Sequence, residues 1–254
     1  MLQRGDFPVL DFDDDPDDLV LGNPPRDPVP GLFPERAVIA FLGETVDEFA
    51  SRRGAPVIHT EVTINGTHPY WRIDTGSGPV VLVRAHLGAP MAVLLADPLF
   101  RCGVKEAVAV GSCGALHHFE EGEWLVPARA LRDEGTSHRY LPPSRWVELD
   151  PELTARCVAV IRERDLAVAT VDVWTTDAIL RETRAMVQAR RAEGCSVVDM
   201  ECAALAASAR MHKVRFGQIL FSADSLAGDE HDPRGWGRSS HELALELALE
   251  AVAR

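Results

Sequence analysis

The sequence predicts a single α/β domain of three layers, α/β/α, on a mostly parallel, mixed central sheet. Three observations predict it. Strand-like and helix-like patterns alternate along the chain, as they do where helices cover both faces of a largely parallel sheet. The 254 residues, 46% hydrophobic, suffice for one large domain with a sizeable core, and show neither an internal repeat nor a second domain. The unusual residues fall just past four strand ends, at Gly43, at 111–114, at Met200 and Glu201, and at 222–224, where open α/β sheets bind ligands.

Taken in order, residues 1–34 hold an Asp-rich block (Asp11, Asp13, Asp14, Asp15, Asp17, Asp18) and prolines at 24, 25, 28, 30 and 34. This arm has little capacity to form a core. It is either disordered or laid across a neighbouring subunit, and the folded domain is expected over 35–254. Residues 36–42 read as the first strand, ended by Gly43, and 45–53 as a short helix. Strands follow at 57–64, 68–75 and 79–84, punctuated by Asn65-Gly66 and Gly76-Ser77-Gly78. Met91, Leu94, Leu95 and Leu99 recur at helical spacing over 88–100. Residues 107–110 form a short strand entering Gly111-Ser112-Cys113-Gly114.

Further strands are expected at 124–131, 167–174 and 214–223, and helices at 151–164, 184–193 and 239–253. The polar loop 132–144 is rich in side chains able to contact a ligand. Val197 and Val198 end a buried strand, and 202–209 is an Ala-rich helix.

A formal net charge of -13 excludes nucleic acid and anionic membrane as partners. The five cysteines are scattered, with no CxxC pair. That indicates neither a metal site nor a disulfide framework, and fits reduced thiols in the cytoplasm. The acidic N-terminus is unlike a signal peptide, and no uncharged apolar run approaches spanning length.

Asp199 is a good N-cap for the Ala-rich helix, which places Glu201 in its first turn. The helix is apolar on nearly every side, so Glu201 is a buried carboxylate and costly unless satisfied. It is either an acid favoured by the helix dipole or one kept to accept two hydroxyl hydrogen bonds from a sugar. The 111–114 segment is either a tight turn or a backbone cradle for an anion or a polarised water. Asp224 either caps a loop or donates a proton. Glu230-His231-Asp232 and His117-His118 read as solvated loops, not metal ligands.

Three segments together resemble the nucleoside phosphorylase family that includes uridine phosphorylase and hexameric purine nucleoside phosphorylase. They are 110–116 (VGSCGAL) with 121–127 (EGEWLVP), Val198-Asp199-Met200-Glu201, and Phe221-Ser222-Ala223-Asp224. The loop 132–143 resembles one in uridine phosphorylase-like proteins. The resemblance implies cleavage of the N-glycosidic bond of a ribonucleoside to free base and ribose 1-phosphate. Inorganic phosphate would be co-substrate, and no other cofactor is implied. Glu201 would hold the ribose 2′- and 3′-hydroxyls, and Met200 would pack on the sugar. Gly43, Arg84 and Ser112 would form the phosphate or water site. Gly114, Arg181, Glu182 and Ser222 would face the base, and Asp224 would protonate it. A homo-oligomer is implied, a dimer or a trimer of dimers.

The chain departs from the family pattern at the phosphate arginines. None follows Gly43, Ala109 stands before the Gly-rich segment, and Gly66 falls where a neighbouring subunit supplies the third. Asp47 would repel phosphate, and Glu48 sits about where hydrolytic members of the fold place a glutamate. Hydrolysis by water, with Glu48 as base, is therefore the alternative reaction, and a non-catalytic nucleoside-binding protein is a second alternative. Asp224 favours a purine-type base, although Arg181 and Glu182 lie where pyrimidine-specific members read uracil.

Overall fold

A computed structural model describes residues 1–15, 19, 20 and 31–254. Asp17, Asp18 and the prolines at 24, 25, 28 and 30 lie outside the described residues. The strands are β1 (Arg36–Ala40), β2 (Val57–Thr63), β3 (Gly66–Thr75), β4 (Gly78–Arg84), β5 (Glu106–Ala115), β6 (Trp124–Asp133), β7 (Trp146–Glu148), β8 (Val168–Thr176), β9 (Cys195–Asp199) and β10 (Arg215–Ser225). The helices are α1 (Glu44–Arg52), α2 (Ala89–Arg101), α3 (Ser137–Tyr140), α4 (Pro151–Arg162), α5 (Arg184–Ala192), α6 (Cys202–Met211) and α7 (His241–Ala253).

The strands form one mixed sheet in the order β10-β6-β8-β9-β5-β1-β4-β3-β2, with β7 added to β6. β10 also pairs in parallel with β5. The segment β5-β10-β6-β8-β9 therefore closes into a ring, and β1, β4, β3 and β2 extend from it as an open wing. Helices α2 and α6 pack on one face of the sheet and α1, α4 and α7 on the other. Every residue from Cys202 to Ala209 is buried, as expected of a helix apolar all round.

The site is positioned by a break along one edge of β5. β1 runs parallel to β5 as far as Ala40 opposite Val110. β9 approaches along the same edge from the other direction, antiparallel, with Val198 opposite Gly114. Between the two, residues 111–113 of β5 have no strand on this edge, though β10 pairs with them on the other, and the ends of β1 and β9 face each other across the gap.

The Gly-rich segment is accordingly strand, not turn. Its glycines answer to close packing and not to backbone bending. A Cβ on Gly111 would lie 2.9 Å from the Phe41 side chain, and one on Gly114 would lie 2.9 Å from Val198 Cγ1.

The first residues of the chain are tied to the domain. Gln3 and Phe12 form an antiparallel bridge, Phe12 is buried, and Arg139 donates to the Pro8 carbonyl at 2.7 Å. The loop 132–144 is stabilised from within. The buried Arg132 guanidinium donates to Ser137, Pro142 and Ser144, and Glu134 accepts from the Thr136 and Ser137 backbone. Its side chains serve the loop itself, and none of them lines the cleft described next.

Candidate active site

A cleft of about 560 Å³ opens over the gap in β5. Its walls come from the ends of β1, β4, β9 and β10, from 111–114, and from the turn before α5.

At the β9 end, Asp199 is buried and fully engaged. It accepts from Thr175 Oγ1 at 2.7 Å, from the Cys202 N–H at 2.9 Å and from Gln218 Nε2 at 3.3 Å. It thus caps α6, while Glu201 occupies the N-cap position without a side-chain capping bond. Glu201 instead accepts the Gly88 N–H at 2.6 Å, from the start of α2. Burial raises both carboxyls. Asp199 has three donors to hold its charge, so the proton is kept more readily by Glu201, which the Asp199 charge raises further. Met200, half-buried, lines the cleft beside it.

At the β10 end, the ladder with β5 slips. Ser222 faces Cys113 but Asp224 faces Gly114, leaving Ala223 as a bulge. A bulge re-aims the side chain that follows, and Asp224 lines the cleft, largely buried. Its Oδ2 is 2.9 Å from His231 Nε2. Glu182 lines the same wall, and burial, then the Asp224 charge, pushes its carboxyl up to about 7. Trp236 closes the wall from a loop in which Arg234 and Trp236 both adopt positive φ, 48° and 58°. Such backbone persists where the surroundings over-determine it; here the Gly237 N–H donates to Glu121 and Arg234 donates to Ser222.

At the β1 end, Gly43 turns the chain at φ +55° into α1, which brings Glu44 to the cleft. Arg84 also lines it, and its guanidinium is paired with Asp47 at 2.6 Å. His86 contributes a buried Nε2 with no partner, its ring edge-on to His68 at 4.7 Å. Five lining carboxylates (Glu44, Glu182, Asp199, Glu201, Asp224) thus accompany one lining guanidinium that already has a counter-ion.

A sequence-family model described as the phosphorylase superfamily matches residues 35–254. The chain belongs to the phosphorylase superfamily. It is similar to a guanosine phosphorylase of Halorubrum lacusprofundi, 28% identical over 175 residues that cover 65% of this chain and 72% of that protein. A purine nucleoside phosphorylase of the DeoD type from Brevibacillus brevis is 25% identical over 171 residues, with the same coverage of 65% and 72%. The crystal structure of an AMP nucleosidase from Bacteroides thetaiotaomicron has the same fold, with a TM-score of 0.69 at 24% identity, covering 87% of this chain and 88% of that one. The protein is an enzyme of this superfamily.

Within the superfamily fold, eight of the site residues expected from sequence line the cleft: Gly43, Arg84, Ser112, Gly114, Glu182, Met200, Glu201 and Asp224. Three do not. Glu48 stands one helical turn beyond Glu44, exposed, in a separate depression with Asp47, Ser51 and Arg52. Arg181 points to solvent from a 3-10 turn whose Ile179 and Glu182 reach the cleft instead. Ser222 is fully buried and held by Arg234 at 3.1 Å, behind the bulge that exposes Asp224. Sequence reasoning missed Glu44, His86 and Trp236. Among the described residues no group of three or more His, Cys, Asp or Glu could hold a metal ion, and no helix is long and apolar enough to cross a membrane.

Proposed function

We propose that this enzyme cleaves the N-glycosidic bond of a purine-type ribonucleoside with water, releasing the free base and ribose. One observation carries the choice of water. The guanidinium on the sugar's open side, Arg84, is already neutralised by Asp47, and Glu44 stands on the same wall. An incoming phosphate dianion would meet a neutral pair and a carboxylate, whereas a water molecule gains a base to take its proton. The ionised carboxylates of the wall, Glu44 and Asp199, favour the positive charge that develops on the sugar as the bond breaks.

In this reading Glu201 accepts the ribose hydroxyls, Met200 packs on the sugar and Asp224 protonates the departing base. Ser112 and the unpaired β5 edge flank the reacting carbon.

The rival reading is phosphorolysis to ribose 1-phosphate, with phosphate at Arg84, Ser112 and Gly43. It draws support from the relatives, whose names are guanosine phosphorylase and purine nucleoside phosphorylase. Turnover of a nucleoside and nucleotide panel in phosphate-free buffer separates the two. Hydrolysis predicts undiminished turnover with ribose as product. Strict dependence on phosphate, with ribose 1-phosphate formed, would establish phosphorolysis, and saturable binding without turnover would leave a non-catalytic nucleoside-binding protein.

The working unit in this reading is a homo-oligomer, a dimer or a trimer of dimers. Exposed Val62, Ile64, Leu87 and Leu94 lie on β2, the following turn, the loop before α2 and α2 itself, and Leu87 also lines the cleft. An interface between copies would cover these side chains. Five buried free thiols fit a reducing compartment such as the cytoplasm.

A further inference from the structure

A second cavity, about 480 Å³, lies behind the base wall of the cleft and shares only Glu182 with it. Asp224 lines the cleft and not the second cavity, while His231 lines the second cavity and not the cleft. The 2.9 Å hydrogen bond between His231 Nε2 and Asp224 Oδ2 therefore crosses from one space to the other. The two ends differ in wetness: the carboxyl is 14% exposed and the imidazole 45%. The other carboxyl oxygen, Oδ1, lies on the Gly114 side, where a Cβ would come within 3.3 Å of it. Nothing in the proposed reaction so far returns a proton to Asp224 once the base has taken one.

We infer that His231 acts through Asp224 as a positioning residue that returns protons from the second cavity to the base side of the cleft. The inference rests on Asp224 being the acid in the proposed reaction.

As the C1′–N bond breaks, its electron pair passes to the base. Asp224 gives a proton from Oδ1 to a ring nitrogen of the base and receives one at Oδ2 from the imidazolium Nε2–H. The neutral imidazole is then protonated by a solvent or buffer acid in the second cavity. The proton lost by the attacking water leaves through Glu44, so uptake and release balance.

The charged groups around the relay leave it free to work. Arg184 is paired with Asp229 at 2.8 Å, and Arg191 donates to the Leu226 carbonyl. Trp236 covers the imidazole, ring centroids 6.0 Å apart. Glu182, raised to about 7, faces Asp224, and His118 and Glu230 line the open side.

The test uses whichever purine ribonucleoside or 5′-nucleotide the wild type cleaves, beside its 7-methyl counterpart, whose cationic base leaves without protonation. His231→Gln keeps a hydrogen-bonding side chain on an exposed loop but carries no mobile proton. It should lower kcat/KM on the ordinary substrate by about 10–10²-fold, at the lower end of general acid contributions, and change the 7-methyl substrate far less. Imidazole added to His231→Ala should restore part of the lost rate, more so at lower pH, where imidazolium predominates. Equal losses on both substrates would assign His231 a merely structural role, and an unchanged ordinary rate would overturn the relay outright. A wild type inactive on every purine nucleoside and nucleotide would overturn the cleavage reading itself, and the relay with it.

Discussion

The sugar end of the cleft and its water end are built from different amounts of sequence. At the sugar end, Asp199, Met200 and Glu201 follow one another in the chain, and one strand-to-helix junction positions all three. At the water end, Gly43, Glu44 and Asp47 come from the start of α1 while Arg84 comes from the end of β4, and only the pairing of β1 with β4 brings them together. The sugar end also has its charges arranged in layers. Asp199 accepts from Thr175, Cys202 and Gln218, and Glu201 beside it accepts the Gly88 N–H and faces the cleft. The water end has an ion pair, about a third open to solvent, and a carboxylate, Glu44, with no partner among the described residues. A buried, pre-set carboxylate suits a fixed diol, and a looser wall suits a small mobile nucleophile.

The largest effect should come from breaking the sugar end. Glu201→Ala removes two charge-assisted hydrogen bonds to the ribose, each of about 1.5–3 kcal/mol, and should lower kcat/KM by about 10²–10⁴-fold. The loss should shrink on a 2′-deoxyribonucleoside, which makes only one of the two bonds. Because burial, then the Asp199 charge, pushes the Glu201 carboxyl up to about 8, and only its ionised form accepts both hydroxyls, KM should fall as pH rises through about 8. A folded variant with wild-type kcat/KM would sink the ribose assignment.

The same contrast explains what could be read from the chain beforehand. Most of the element order, the buried α6 and the acid at its head were legible because apolar periodicity and capping are local signals; the short α3 and β7, in or just beyond a stretch that reads as polar loop, were not. Glu201 was found by the cost of burying it. Glu44 was not, because its side chain reaches the cleft only through the +55° φ of Gly43 and the start of α1 at Glu44. Neither leaves a mark in composition, and the neighbouring Glu48 has the same chemistry. The glycines at 111 and 114 suggested a turn because glycine usually signals backbone freedom. Their cause is tertiary, the approach of Phe41 and Val198. Trp236 sits in a loop of positive φ held by Glu121, a contact between positions far apart in the chain. The bulge at Ala223 likewise decides which of Ser222 and Asp224 meets the cleft, and alternation alone does not reveal a bulge.

A middle-sized effect sharpens the water end. Glu44→Gln should lower kcat by about 10²-fold if Glu44 takes the water proton. Glu48→Gln should leave it within about twofold, as exposed substitutions away from a site usually do. Steady-state kinetics of the two variants side by side decide the matter. The reverse ranking would return the base to Glu48 and require α1 to move on substrate binding.

The smallest effect probes the ion pair that separates the two readings of the reaction. Asp47 and Arg84 are partly exposed, at 37% and 27%, so solvent screens their attraction and the pair is worth only about 1 kcal/mol. Asp47→Asn removes the negative partner and leaves the Arg84 guanidinium free on the cleft wall. An anion binding there then no longer competes with Asp47 for the guanidinium, and no longer faces its charge. Inorganic phosphate should therefore bind the variant about fivefold more tightly, the equivalent of that 1 kcal/mol. If water is the nucleophile, the measurement is the inhibition constant of phosphate against hydrolysis, which should drop by this factor and recover as salt is added. Phosphate binding equal in the two proteins would mean that Arg84 does not face the bound anion, and the pairing with Asp47 would then carry no weight in the choice between water and phosphate.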